Sequence, residues 1–342
     1  MNDDPNPVLV EVTRGGHIEC RHRGAALVIS ADGTIIGSWG DTQRALFPRS
    51  AIKPLQAIPL VESGAAQAFE VSERELALAC ASHSGEAAHV EAVAAWLQRI
   101  GLDVTDLECG DQWPMRDEAA RALVAAGEKA TALHNNCSGK HTGFLTTALH
   151  MGEDTRSYVG KDHAVQQRIA GVLSEMMGVE IIDAPCGIDG CSIPTWAVPL
   201  DSMALAMARF ASPDTLSPAR GEAVRRIFSA MTQHPFMVAG SERYCSEVMA
   251  ATDGRLMVKT GAEGVFCAAL PEQGIGIALK CDDGAKRASE TLMTALLFHL
   301  DLVTDREKAL LEKRLRTQLD NWNGINVGEV RPAGPFSACS AE

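Results

Sequence analysis

Ala26-Leu27-Val28-Ile29-Ser30-Ala31-Asp32-Gly33-Thr34-Ile35-Ile36-Gly37 decides the fold class. Two β-rich runs, 26–30 and 34–37, flank Ala31-Asp32-Gly33, and Asp-Gly between such runs marks a tight antiparallel hairpin. Val8-Leu9-Val10-Glu11-Val12 supplies a third run upstream, so the chain opens as an antiparallel meander. After Pro48 the pattern changes. Ile52, Leu55, Ile58 and Leu60 recur at roughly helical spacing, which predicts a helix starting near Ser50 and shortened or kinked by Pro59. Apolar residues three and four apart predict further helices over 73–79, 87–99, 116–126, 140–150 and 164–177. A strand is predicted at 179–183, then a turn-rich loop over 185–192 and helices over 203–211 and 223–233. Strands return at 255–259, 264–270 and 274–280, followed by an amphipathic helix over 285–300.

Strands, a long helical block, then strands and a helix define an α/β fold. Strands distant in sequence complete one antiparallel sheet flanked by helices, and the middle block forms a helical lobe beside it. The expected layout is a single catalytic unit over 8–330, with the sheet from 8–47 and 255–300, the lobe over about 72–250 and a loose tail over 331–342. A chain of 342 residues is long enough for two ordinary domains or one large domain with a helical insertion.

Lys and Arg total 31 against 44 Asp and Glu, a net charge of −13, and only 5% of residues are aromatic. Nucleic acid is therefore not an expected partner. The longest apolar stretch, 292–303, is interrupted by Thr294, His299 and Asp301, so no membrane span is expected. The acidic, Pro-containing start, Asn2 to Pro7, is unlike a secretory signal, which places the chain in the cytoplasm with its ten cysteines reduced.

Ser50-Ala51-Ile52-Lys53 puts a hydroxyl and an amine one turn apart, the minimum for a Ser–Lys nucleophile, although a helix cap beside a surface lysine fits that spacing equally. Lys259-Thr260-Gly261 at the end of a predicted strand adds weight. The pair resembles the signature of penicillin-binding proteins and class A β-lactamases, whose elements follow the same order. Their S-D-N element is missing here; Ser82-His83-Ser84 and Cys137-Ser138-Gly139 are the nearest substitutes. Asn135 to His141 is not a phosphate loop, because His134 stands where that motif needs Gly and His141 where it needs Ser or Thr. Cys137, Cys191 and Asp189 form a possible metal set on two Gly-containing loops, with packed thiols as the alternative.

Five stretches taken together resemble the class 3, or rhizobial-type, L-asparaginase family. They are 47–54 (Phe47 to Pro54), 80–86 (Cys80 to Glu86), 134–141 (His134 to His141), 187–191 (Gly187 to Cys191) and 259–264 (Lys259 to Gly264). The resemblance implies a serine β-lactamase or glutaminase-like fold, a homodimer, and hydrolysis of L-asparagine to L-aspartate and ammonia. By motif, it implies two Ser–Lys pairs in one cleft, Ser50 with Lys53 and Ser82 with Lys259. It implies zinc held by Cys137, Lys140 and Cys191 beside Asp189, and pocket positions for Arg49, His141 and Cys245. The resulting expectation is attack by Ser50 with Lys53 as base, while Lys259 and Ser82 relay the proton to the leaving group; the sequence does not decide which serine is acylated, and Ser82 is the alternative. Arg49 and Asp189 would hold the two charged ends of the substrate, and zinc would orient rather than generate hydroxide. The alternatives are a glutaminase or β-lactam-recognising hydrolase on the same fold, and a non-catalytic zinc-dependent amino-acid sensor.

Overall fold

The computed structural model describes residues 6–339; the acidic start lies largely outside them. The hairpin forms as read. Gly33 takes φ = 90°, and the Asp32 carboxylate accepts from Ser30 Oγ (2.5 Å) and Thr34 N (3.0 Å), tying the turn between strands His17–Ser30 and Ile35–Trp39.

The 14-residue strand His17–Ser30 organises the sheet. Its first half pairs antiparallel with Val8–Arg14, and its second half, Gly24 to Ser30, pairs with Ile275–Cys281. Beyond that strand lie Val265–Leu270 and Met257–Thr260, so the two ends of the chain do share one antiparallel sheet. Residues 265–270 are buried at every position rather than alternately, so both faces of the sheet are covered. Helices Leu200–Ala211 and Lys286–His299 pack on it. At Gly276 the contact is backbone to backbone: a Cβ would lie 2.2 Å from Ala208 N, so no side chain fits between strand and helix.

In the helical block, Glu73–Ala79 and Ser138–Met151 set the site. A capping box of Ser72 and Glu75 opens the first, with Glu75 N donating to Ser72 Oγ and Ser72 N to Glu75 Oε2. The two helices meet where Gly139 passes Leu78; a Cβ on Gly139 would lie 2.5 Å from the Leu78 carbonyl oxygen. Closest approach at that point brings Ser82, just beyond the first helix, next to Cys137, just before the second.

The structure differs from the sequence expectation in several places. The helix from Ser50 is three short pieces: a 3₁₀ turn Arg49–Ile52, then Lys53–Gln56 and Ile58–Glu62. Residues 179–183 form no strand. Gly178 (φ 70°) closes the preceding helix, Ile181 N is taken by Ser174 Oγ (3.0 Å), and among the described residues no strand pairs with this stretch. A helix, Asp305–Leu315, and two strands, Thr317–Asp320 and Asn326–Pro332, extend the sheet beyond Val8–Arg14. Residues 331–339 are therefore not a loose tail. Arg331 and Pro332 lie in a paired strand, Ala333 N donates to Leu9 O (2.9 Å), and Phe336 is buried against Trp39 and His299. The rest of the expected tail, 340–342, lies outside the described residues. Among those described, no helix is long and apolar enough to cross a membrane.

Candidate active site

Ser82, Lys53 and Lys259 arrive from three elements and meet. Lys53 opens the short helix Lys53–Gln56, Ser82 follows helix Glu73–Ala79, and Lys259 lies on strand Met257–Thr260 opposite Cys267. Both amines donate to one oxygen: Ser82 Oγ is 2.8 Å from Lys259 Nζ and 3.1 Å from Lys53 Nζ. Each lysine is only 1% exposed. Lys259 Nζ also donates to the Thr260 carbonyl at 2.8 Å, and Lys53 Nζ to the Ala81 carbonyl and to Cys137 Sγ at 3.0 Å.

Burial disfavours the ammonium form, and the positive charge of Lys53 adds to this, so the Lys259 pKa falls to about 7. Near neutral pH this amine can release its proton, and a neutral amine in that position can accept one from the hydroxyl it touches.

The one-turn pairing expected of Ser50 and Lys53 is not formed among the described residues. Lys53 is buried and its amine is taken up by the Ala81, Ser82 and Cys137 partners, whereas Ser50 is half-buried in the turn that Arg49 enters with φ = 51°. Spacing placed the two groups on one turn but did not fix the direction of a four-carbon stem. Ser50 and Ser82 nevertheless border the same cleft of about 180 Å³, together with Asn136, Arg243, Thr260 and Glu263.

Cys137, Lys140 and Cys191 also converge. Lys140 Nζ donates to Cys191 Sγ at 3.0 Å. A hydrogen bond from Cys137 carries the Cys191 thiol well below its ordinary value, and the same contact, with burial, pushes Cys137 up to about 12. Burial works against the Lys140 charge, but Cys191 and then Cys137 beside it outweigh that and raise the pKa. Among the described residues no three of His, Cys, Asp or Glu come together, so an ion here would need the lysine amine as its third ligand. Two sulfurs and an amine in a dry site suit a thiophilic divalent ion once Lys140 gives up its proton.

Arg49 Nε donates to Asp189 Oδ1 at 2.8 Å, so these two charges are spent on each other, and neither borders the Ser82 cleft. Burial opposes the Asp189 charge, but Lys140 and then Arg49 hold its pKa below the usual carboxylate range. His141 is fully buried and neutral, its pKa driven down by burial and then by Lys140. Tyr158 Oη accepts from Glu108 N (2.8 Å) and is 2.9 Å from His141 Nδ1, so the tyrosine proton goes to Nδ1 and the imidazole hydrogen sits on Nε2, which has no partner among the described residues. Cys245 is buried behind the cleft near Lys259, its thiol pKa raised by burial. Neither His141 nor Cys245 borders the cleft.

Sequence reasoning missed Arg243, Glu263 and Asn136 as cleft residues. Asn136 and Glu263 stand inside motifs quoted above and Arg243 two residues before Cys245, but nothing in their spacing says which way they face.

A hydroxyl between two buried amines at the foot of a small cleft is equipment for acyl transfer through a serine ester. The chain belongs to the L-asparaginase II family, whose model matches residues 10–332. It is thus an amidohydrolase. Among solved structures it is similar to a β-lactamase from Mycobacterium bovis, with 15% identity, 85% of this chain and 94% of that one covered, and a TM-score of 0.43. It is also similar to a Bacillus glutaminase, with 11% identity, 82% and 91% covered, and a TM-score of 0.42. A third is Mglu in its native form, with 12% identity, 82% and 65% covered, and a TM-score of 0.45. No curated protein sequence matches the chain.

Proposed function

We propose that this protein hydrolyses the side-chain amide of L-asparagine to L-aspartate and ammonia, with Ser82 as nucleophile. The observation that carries the reading is Ser82 Oγ within hydrogen-bond reach of both Lys259 and Lys53. Family membership supports the reaction class.

An amide is a poor electrophile with a poor leaving group. Neutral Lys259 takes the Ser82 proton as Oγ bonds to the carboxamide carbon and the carbonyl becomes an oxyanion. The Lys53 amine keeps donating to Oγ, which orients the nucleophile and places a positive charge beside the developing negative one. Protonated Lys259 then hands its proton to the departing nitrogen, the C–N bond breaks, and ammonia leaves an ester on Ser82. Water, deprotonated by the regenerated Lys259, cleaves the ester and releases aspartate. Ser50, in the same cleft, is a contact to the bound amide in this scheme.

Cys137, Lys140 and Cys191 would hold a zinc ion, with Asp189 adjacent; when bound, it supplies a fixed positive charge that orients groups around the cleft. Protein purified without chelator is expected to carry stoichiometric zinc by elemental analysis, and Lys140→Met to lose most of it. Metal-free protein as isolated, at full activity, would remove zinc from the account.

The reaction is tested by ammonia release from purified protein with L-asparagine, L-glutamine and a chromogenic cephalosporin under one condition. Preference for asparagine is the expected result; preference for either of the others changes the substrate, and binding without turnover points to a sensor. Because Lys259 must be neutral to act as base, kcat/KM should climb as pH rises through about 7 and level off above it. A profile flat from pH 5.5 to 9 would show that this proton is not involved.

A further inference from the structure

Two charges on the Ser82 cleft, Arg243 and Glu263, have no ion-pair partner among the described residues. Their neighbours differ. Arg116 is surrounded by Glu86, Glu118 and Glu242 at 3.9, 3.2 and 3.2 Å, and Arg49 is bound to Asp189.

Arg243 is held in place from behind. Its Nη1 donates to Ser84 Oγ at 3.2 Å, and that hydroxyl donates onward to the Ala239 carbonyl at 2.9 Å. The turn that carries it is pressed onto the same region. Gly240 has φ = 112°, a Cβ there would lie 2.5 Å from Glu86 Oε1 and 2.8 Å from Ser84 Oγ, and Ser241 N and Oγ both bind the Glu86 carboxylate at 2.8 Å. The guanidinium keeps most of its donors for something else.

Glu263 sits on the turn between strands Met257–Thr260 and Val265–Leu270 with φ = 56°, a left-handed conformation that a residue with a side chain rarely adopts. Lys280 Nζ donates to its backbone carbonyl, leaving the carboxylate unengaged. Gly284 makes room for that carboxylate, since a Cβ there would lie 2.8 Å from Glu263 Oε2.

A cleft of about 180 Å³ is smaller than the ~300–1,000 Å³ typical of drug-sized ligands. A small molecule of opposite end charges, with an amide between the serine hydroxyls, would satisfy both free groups. We propose that Arg243 and Glu263 are the substrate-selecting residues of this cleft, the guanidinium binding the α-carboxylate and the carboxylate binding the α-ammonium of a free amino acid. This rests on the cleft being the hydrolytic site, and it moves substrate recognition from Arg49 and Asp189, which neutralise each other, to the two charges left open.

Calorimetric binding separates this from activity. The probes are L-aspartate, 3-aminopropanoate, which lacks the α-carboxylate, and succinate, which lacks the ammonium. The unaltered protein should bind L-aspartate about 30–100-fold more tightly than either analogue. Arg243→Gln should erase the advantage over 3-aminopropanoate while keeping that over succinate, and Glu263→Gln should do the reverse. A merely structural role would weaken all three ligands alike, and that outcome overturns the proposal. So does failure of the unaltered protein to bind aspartate, or loss of carboxylate discrimination in Lys286→Gln, the other cation on the cleft, instead of Arg243→Gln. If the binding pattern holds but no ammonia is released from asparagine, the hydrolytic reading fails and this one stands.

Discussion

Ser82→Ala is expected to lower kcat for L-asparagine by about 10³-fold or more, while Ser50→Ala costs about tenfold. The difference follows from what each hydroxyl touches. Ser82 Oγ is the shared acceptor of Lys259 and Lys53, so removing it removes both the proposed nucleophile and the atom through which its proton would move. Ser50 only borders the cleft. The fold should survive the change, because Lys53 keeps the Ala81 carbonyl and Cys137, and Lys259 keeps the Thr260 carbonyl. A stability loss of about 1–2 kcal/mol is the scale for such a deletion, checked by thermal unfolding. Steady-state ammonia release from both variants decides the assignment: the reverse ranking would exchange the roles of the two serines.

Lys259→Met is expected to abolish turnover to a similar degree and to change stability with a sign that depends on pH. In the folded protein the amine titrates near 7, against 10.5 when unperturbed. Below pH 7 both states carry the proton, and folding bears the full cost of a buried ammonium, on the order of 5 kcal/mol from the size of the shift. Between pH 7 and 10.5 the unfolded chain holds a proton that the folded protein has released, so stability rises with pH, and the penalty is gone above 10.5. Methionine carries no charge and fills similar space. The variant should therefore exceed the unaltered protein in stability at pH 6, with the difference shrinking by pH 10. Urea unfolding at the two pH values measures it, and a pH-independent difference would mean that Lys259 does not titrate in this range.

Inactivity and added stability in one variant would mark Lys259 as a residue kept for chemistry at a cost to folding. Lys53 shares the arrangement: two long cationic side chains are brought to one hydroxyl in the interior, and Lys53 acts on Lys259 through its charge.

Where the sequence was legible, a local signal and the tertiary outcome agreed. The Asp32-Gly33 hairpin formed because Gly33 accepts the left-handed backbone while the Asp32 carboxylate ties the turn, and helices Glu73–Ala79, Ala87–Arg99 and Ala164–Met177 lie where their apolar spacing put them. The stretch 179–183 reads as a strand, but strand formation needs a partner and none pairs with it among the described residues. The missed helix Asp305–Leu315 carries a capping box, Thr304 with Glu307, that was readable in principle. The hairpin Thr317–Asp320 and Asn326–Pro332 is mostly polar and half-exposed at a sheet edge, so it had no apolar run to reveal it.

At the site, residue types were legible and their pairings were not. Ser50, Lys53, Ser82 and Lys259 were all singled out by motif, yet which hydroxyl an amine reaches depends on burial and on competing acceptors such as the Ala81 carbonyl. Likewise Arg49 and Asp189 read as free charges from sequence, and only their 2.8 Å contact shows that each is already occupied.

Adduct mapping tests the central claim most directly. The protein is treated with a mechanism-based asparagine analogue whose acyl group is slow to leave, then digested, and the modified peptide is sequenced by mass spectrometry. The account predicts a single acyl group on Ser82, absent from Ser82→Ala. An adduct on Ser50 in the unaltered protein, with Ser82 unmodified, would contradict it.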